Sequence, residues 1–118
     1  MKNFDVGKHI IRLLDINKLN GKIFPLVANA GTEFPFCIYR RTNYQPHNTK
    51  DTLDEICDVE IVILSTKYNE SVELAKNVAE ALNGNSDEAI EEINLMNASE
   101  SFSSDTFIQT LNFRFIYK

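Results

Sequence analysis

Residues 106–117 alternate between two kinds of side chain, and this alternation constrains the fold more than any other feature. One set of positions carries Phe107, Leu111, Phe113, Phe115 and Tyr117. The other set carries Ile108, Thr110, Asn112, Arg114 and Ile116. Successive side chains of a strand point to opposite faces of its sheet, so the pattern predicts a strand with one aromatic face. We expect this strand to lie centrally against a hydrophobic core.

A second helix is predicted between Asn69 and Gly84. Asn69 is a candidate N-cap, Glu70 and Glu73 suit the positive end of the helix dipole, and Gly84 ends the helix. The side chains expected on its buried face are Val72, Ala75, Val78, Ala79 and Leu82.

A first helix is predicted from about Val6 to Lys18, with Asp5 as its N-cap and Asn20-Gly21 ending it. Its apolar stripe consists of Val6, Ile10, Leu13 and Leu14. A short strand follows at Lys22 to Val27. It contains Pro25, which cannot donate to a strand ladder, so we expect this strand at an edge of the sheet.

Two longer strands are predicted at about Phe34 to Asn43 and Thr52 to Lys67, and the second is long enough to require a bend or bulge. The polar segment 44–51 between them makes a long hairpin. A register centred on His47 would pair Cys37 with Cys57, Ile38 with Ile56 and Arg40 with Asp54. Mild oxidation would then join the two cysteines, and the arm around residues 43–51 would be mobile in the free subunit.

A further strand is predicted at about Glu91 to Asn97, although the segment around residues 88–97 is also compatible with an extension of the second helix. Residues Ser99 to Asp105 are expected to form a turn or mobile loop. The sequence therefore predicts one α+β domain over residues 1–118, in the order α-β-β-β-α-β-β. Its sheet should be mainly antiparallel, with both helices on one face.

The charge balance disfavours several classes of protein. Twelve Lys and Arg residues stand against 17 Asp and Glu residues, which gives a net charge of −5. Specific nucleic-acid binding is not expected, because it needs clustered basic residues. No apolar run approaches the length of a membrane span, and the N-terminal residues lack the apolar core of a signal peptide. The expected compartment is therefore the cytoplasm.

The residues that usually carry catalysis or bind metals show no recognisable pattern. The two cysteines are expected to be reduced and half-buried, and His9 and His47 to lie on the surface. There is no glycine-rich phosphate loop and no GxSxG elbow. In the third strand, Asp54, Asp58 and Glu60 fall on one face and Glu55 on the other, as in a solvated strand. We expect a protein without enzymatic activity, cofactor or metal.

Two motifs resemble those of a known family. They are Lys22-Ile23-Phe24-Pro25-Leu26-Val27-Ala28 and Phe34-Pro35-Phe36-Cys37-Ile38-Tyr39-Arg40. Followed by an acidic strand, an alanine-containing helix ending in glycine and an aromatic terminal strand, they resemble the tail-completion proteins of long-tailed phages and prophages. These are also described as tail terminators or head-to-tail joining proteins. The resemblance spans roughly Ile10 to Tyr117, but the hairpin tip and the serine-rich turn match nothing in the family.

The resemblance implies a structural protein whose copies form a hexameric ring. Such a ring caps the tail tube and offers a surface to the head connector, so the partners would be tail tube protein and connector proteins. The free subunit would either form the ring or stay monomeric until it meets its template. The protein would lie in the host cytoplasm during assembly and in the virion tail afterwards. Candidate interface residues lie on the edge strand and the hairpin arm: Lys22, Phe24, Tyr44, Gln45, His47 and Asn48.

Two alternatives remain open from the sequence. A cytoplasmic α+β adaptor or regulatory module, unrelated to virions, would be a stable monomer or a two-fold dimer. A small enzyme that uses the carboxylate cluster with a metal would gain thermal stability on addition of a divalent cation.

Overall fold

The protein is described from a computed structural model, which covers residues 4–14, 19, 21–46 and 55–118. Its seven elements are α1 (Gly7–Leu13), β1 (Ile23–Pro25), β2 (Phe36–Gln45), β3 (Glu55–Ser65), α2 (Tyr68–Leu82), β4 (Ile90–Ser103) and β5 (Thr106–Tyr117). This order confirms the predicted α+β class.

The five strands form one sheet in the order β1-β2-β3-β5-β4. β1 runs parallel to β2, and the other neighbouring strands are antiparallel. β5 lies between β3 and β4, which confirms that the aromatic strand is central. β1 occupies one edge, as Pro25 indicated, and β4 occupies the other.

Within the described part of the chain, the helices cover one face of the sheet and leave the other face open. The covered face presents alternate residues of the strands to a core that includes side chains of α1 and α2. Phe113, Phe115 and Tyr117 of β5 are at most 1% exposed, and Leu74 and Val78 of α2 are fully buried against them. Both helices therefore help to bury the same face, as expected.

The predicted hairpin register is wrong. Cys37 pairs with Ile63, Cys57 pairs with Tyr44, and Arg40 pairs with Glu60, whereas Asp54 lies outside the described residues. The partner of Cys37 is displaced by 63 − 57 = 6 residues. An even displacement keeps the side chains of the three predicted pairs on their predicted faces, so alternation alone could not detect the error. The two strands remain paired as far as Gln45 and Ile56, which places the connection at 46–54.

The irregularity expected in β3 occurs in its neighbour. Arg41 pairs with Val59 and Asn43 pairs with Asp58, so Thr42 is an extra residue in β2. β3 itself alternates between buried and half-buried residues over its whole length. The bulge belongs to β2 because the eleven residues of β3 are held on both sides by β2 and β5.

The helix termini differ from the predictions. α1 ends at Leu13, with Leu14 already non-helical, and residues 15–18 lie outside the described part. The N-cap residue of α1 is Val6 and not Asp5 as predicted. The Asp5 carboxylate nevertheless accepts a hydrogen bond from the Gly7 amide at 3.1 Å. The N-cap of α2 is Lys67, without a side-chain cap, and Asn69 lies inside the helix.

The buried stripe of α2 is rotated relative to the prediction. Its members are Ser71, Leu74, Ala75, Val78 and Leu82, whereas Val72 is exposed and Ala79 half-buried. Ser71 is tolerated in the core because its hydroxyl donates to the Tyr68 carbonyl and accepts from Gln109 Nε2. These two bonds satisfy a polar group at a position that hydrophobic periodicity assigns to the surface.

The serine-rich segment is a strand rather than a loop. β4 continues to Ser103 and pairs with β5 along its length. The connection consists of Ser104 and Asp105, which both have positive φ, at 52° and 58°. Two such residues are typical of a type I′ turn, whose twist suits a hairpin. The segment around residues 88–97 is therefore strand from Ile90 onward and not an extension of α2.

His9 is buried and not on the surface as predicted. It is 6% exposed, its ring centroid lies 5.5 Å from that of Tyr117, and its Nδ1 is 3.2 Å from Arg12 Nη2. In the described part of the chain, neither His9 Nε2 nor the Tyr117 hydroxyl has a hydrogen-bond partner. Burial lowers the pKa of His9 from 6.5, and the positive charges of Lys8 and Arg12 lower it further. His47 lies outside the described residues.

We expect the protein to lose stability as the pH falls below about 6.5, because the lowered pKa of His9 means that protonation favours the unfolded chain. The contribution is complete above the unfolded-state pKa and is lost as the pH falls through the folded-state pKa. Denaturant melts between about pH 8 and pH 5 measure this loss, and His9→Gln should flatten the profile. An unchanged profile in His9→Gln would assign the pH dependence to another group.

Both cysteines are fully buried free thiols, whereas the sequence predicted half-buried ones. Burial raises the pKa of Cys37 to about 12 and that of Cys57 to about 11. Because the thiolate is the reactive form, we expect neither to react with an aromatic disulfide reagent in the native protein, and both to react after denaturation. Their strand register also removes the expectation of a Cys37–Cys57 disulfide. Rapid labelling of either cysteine in the native protein, detected by mass spectrometry, would contradict the expected lack of reactivity.

Candidate interaction surfaces

The open face of the sheet has an apolar end next to β1. Phe24 pairs with Ile38, Ile38 with Val62, and Phe36 with Leu64, and all five side chains are half-buried. These positions alternate along their strands with the buried residues of the core, so they lie on the opposite face of the sheet. We call this group, together with Phe34, the outer apolar patch.

Aromatic contacts join the rings of the outer apolar patch, and two exposed aliphatic residues follow β1 in the chain. The rings of Phe34 and Phe36 stack at 5.2 Å, and Phe24 meets Phe36 edge-on at 6.5 Å. Leu26 and Val27, immediately after β1, are 63% and 75% exposed. Contiguous apolar surface of this kind marks interaction sites on soluble domains.

Beside the outer apolar patch, a belt of paired charges crosses the open face. Arg114 donates two hydrogen bonds to Asp58, at 2.8 and 3.1 Å, and these bonds hold the pKa of Asp58 below its usual value. Asn43 Nδ2 adds a third bond to Asp58, and Arg40 Nε lies 3.5 Å from Glu60. Asp58 and Glu60, two of the acidic residues that the sequence placed on a solvated strand face, are therefore arranged in ion pairs across the strands.

Among the candidate residues of the hairpin arm, Tyr44 is firmly held. Its hydroxyl donates to the Glu55 carboxylate, and this hydrogen bond raises the pKa of Tyr44 to about 12. The Tyr44 ring packs edge-on against the ring of Phe4. The Arg41 guanidinium also contacts Phe4 and lies 3.6 Å from the centroid of the Phe4 ring. Gln45 is half-buried at the end of β2, and His47 and Asn48 lie outside the described residues.

At the β1 edge, short local hydrogen bonds occupy most outward backbone groups. The Ile23 amide donates to the Gly21 carbonyl at 2.9 Å, and the Pro25 carbonyl accepts from the Val27 amide at 2.7 Å. Pro25 has no amide hydrogen to offer. A partner at the β1 edge would therefore meet the side chains of Lys22 and Phe24 rather than free backbone hydrogen-bonding groups.

A second apolar group, which the sequence analysis missed, lies at the far end of the β4–β5 hairpin. The ring of Phe107 packs against Phe102 at 4.8 Å and Tyr68 at 5.6 Å, and Phe102 remains 58% exposed. The alternation of Ala98, Glu100 and Phe102 with small polar residues is the signal for a strand here. The four serines of 99–104 made the segment resemble a turn.

Across residues 4–14, 19, 21–46 and 55–118, no three His, Cys, Asp or Glu side chains converge to hold a metal ion. None of the described helices combines the length and the apolar character needed to cross a membrane.

The fold is similar to that of a chain in a solved virion particle. A chain from the virion of a native gene transfer agent particle superposes with a TM-score of 0.67 at 14% sequence identity. The superposition covers 92% of this chain and 90% of the other. No protein-family model and no curated protein sequence matches the chain. The likeness is therefore one of fold over nearly the full length of both chains.

Proposed function

We propose that this protein is a non-enzymatic structural component of a phage-like particle, forming a ring that ends the tail tube and joins it to the head connector. The observation that carries the proposal is the fold shared, over nine-tenths of each chain, with a component of a virion particle. The ring and its place in the tail rest on the resemblance of the β1–β2 motifs to tail-completion proteins.

The open face and the β1 edge supply surfaces suited to contact between copies. A ring needs a patch that meets a different patch on the next copy. Lys22 and Phe24 lie at the edge that borders the outer apolar patch, while Tyr44 and Gln45 lie at the other end of β2. His47 and Asn48 follow in the connection and belong to the same proposal. We expect the next copy or the tail tube to cover the outer apolar patch.

The first experiment is the solution mass by light scattering over a wide concentration range, alone and with purified tail tubes. A species near six times the subunit mass of 13.5 kDa, or binding at tube ends, is the expected result. A monomer or closed dimer that does not bind tail tubes would overturn the proposal and favour the alternative function as an adaptor or regulatory module.

A matched pair of variants tests where the contact lies. Phe24→Ser should abolish the ring or the binding to tubes, because it removes an aromatic ring from the outer apolar patch. Val72→Ser, which removes an exposed apolar side chain from α2 on the opposite side of the sheet, should leave assembly unchanged. Equal assembly of the two variants would move the interface away from the outer apolar patch.

A further inference from the structure

The outer edge of β4 is divided into a covered half and an open half. In the first half, the Ile93 carbonyl accepts from the Gly84 amide at 2.8 Å, and the Leu95 amide donates to Asn83 Oδ1 at 2.9 Å. The turn that ends α2 thus bonds to outward backbone groups of Ile93 and Leu95. Beyond the bulge at Met96, the described part of the chain places nothing on this edge.

The open half runs from Asn97 to Ser103, and its outward groups can be assigned. Ser103 and Thr106 flank the two-residue turn and form a hydrogen-bonded pair, and such pairs alternate along an antiparallel ladder. The amides and carbonyls of Ala98, Glu100 and Phe102 therefore point away from β5. Three residues with six outward backbone groups form a regular template for one more strand.

This open edge carries one of the usual guards against strand addition, the charged side chain of Glu100. Exposed edges are commonly guarded by charged residues, above all lysine, by proline or by a bulge within the exposed stretch. Residues 97–103 contain neither lysine nor proline, and their register with β5 is unbroken. At the β1 edge, in contrast, proline and local hydrogen bonds provide that protection.

The charge around the open edge indicates what it would accept. Residues 77–113 contain no Lys or Arg but seven acidic residues: Glu80, Asp87, Glu88, Glu91, Glu92, Glu100 and Asp105. Glu100 lies in the middle of the open edge, where Tyr68 and Gln109 donate to its carboxylate at 3.0–3.2 Å and fix its position. Two residues along, exposed Phe102 offers an apolar contact.

We propose that residues 97–103 of β4 bind an extended segment of a partner protein by strand addition. The segment carries Lys or Arg beside Glu100 and an apolar side chain two residues away, beside Phe102. Main-chain hydrogen bonds supply the affinity, and these two side chains supply the selectivity. A second copy paired antiparallel through the same three outward residues would bring the two Glu100 side chains together, which like-charge repulsion disfavours. The proposal does not depend on the ring.

The probe is the synthetic peptide acetyl-Ser-Thr-Lys-Thr-Val-Thr-Ser-amide, titrated into the full chain. We expect it to slow hydrogen exchange at the amides of Ala98, Glu100 and Phe102, while the amide of Leu95 is unaffected. A peptide with Glu in place of Lys should bind several-fold more weakly. Two further peptides carry N-methyl groups at the odd-numbered or at the even-numbered positions. Only one of them should bind, because a strand uses alternate amides to hydrogen-bond to one neighbour.

Variants of the chain give the second arm of the test. Ala98→Pro removes an outward amide without removing a bond to β5, so it should weaken binding at least about tenfold and leave the melting temperature nearly unchanged. Glu100→Lys should reverse the preference and favour the Glu peptide, which keeps the test decisive if Ala98→Pro does not fold. Glu91→Gln, in the first half of β4, is the control.

Three results would overturn the proposal. They are wild-type binding by folded Ala98→Pro, equal binding of both N-methylated peptides, and exchange protection elsewhere than residues 97–103. Concentration-dependent dimerisation that protects the same amides without peptide would assign the edge to a second copy instead.

Discussion

Phe115→Ala is expected to lower the free energy of unfolding by about 3–5 kcal/mol, as is usual when a fully buried aromatic side chain is truncated. Phe115 is 0% exposed and lies in an interior strand, between Cys57 of β3 and Ile93 of β4. Strands on both sides of β5 hold the backbone, so the cavity cannot close by a local shift. The loss is a large part of the 5–15 kcal/mol typical of a domain.

The matched control is Phe102→Ala in the adjacent strand. Phe102 is 58% exposed, so its truncation removes little buried surface and should cost less than about 1 kcal/mol. Urea melts of the two variants against wild type measure both effects. Similar losses in the two would show that β5 is not central to the core.

Gly84→Ala should lower the free energy of unfolding by about 1–2 kcal/mol, because Gly84 has a φ of 77° and a side chain strains that left-handed conformation. The position follows the C-cap of α2, where glycine is favoured for this reason. Its amide also bonds to the Ile93 carbonyl, so strain here affects the junction between α2 and β4. Among the described residues, no heavy atom beyond Gly84 and its two chain neighbours lies within 4 Å of an added Cβ, so the cost is one of backbone conformation.

Gly84→Asn is the control, because asparagine tolerates the left-handed region better than other residues with a Cβ. It should retain more stability than Gly84→Ala in the same thermal melts. If alanine proved the more stable of the two, helix propensity rather than φ would govern this position.

The patterns that repeat with a period were the most reliable guide to the fold. The alternation along β5 and β3 assigned faces correctly, because the side-chain period of a strand is a local property. The edge position of β1 followed from Pro25, which lacks a donor wherever the chain places it. The same alternation could not determine the β2–β3 register, since a displacement of six residues leaves the faces of the three predicted pairs unchanged.

Burial of polar side chains lay beyond the sequence. His9 and Ser71 are polar residues, yet both are buried in the folded protein. Residues distant in sequence make this possible, because Tyr117 packs beside the imidazole and Gln109 donates a hydrogen bond to the hydroxyl. The serines of β4 also led to the prediction of a turn where a strand forms, since the same residues combine a high turn propensity with the alternation of a strand. Pairing with β5 decided in favour of the strand.

By itself, the sequence determined the order of the elements, the aromatic core strand and the motifs of β1 and β2, all of which depend on neighbours along the chain. Only the tertiary structure decided the strand register, the burial of His9 and the division of the β4 edge. Each of these depends on hydrogen bonds and contacts between segments far apart in the sequence, and local preferences do not encode such pairings. The open half of β4 exists because the turn at Asn83 and Gly84 reaches Ile93 and Leu95 and no farther.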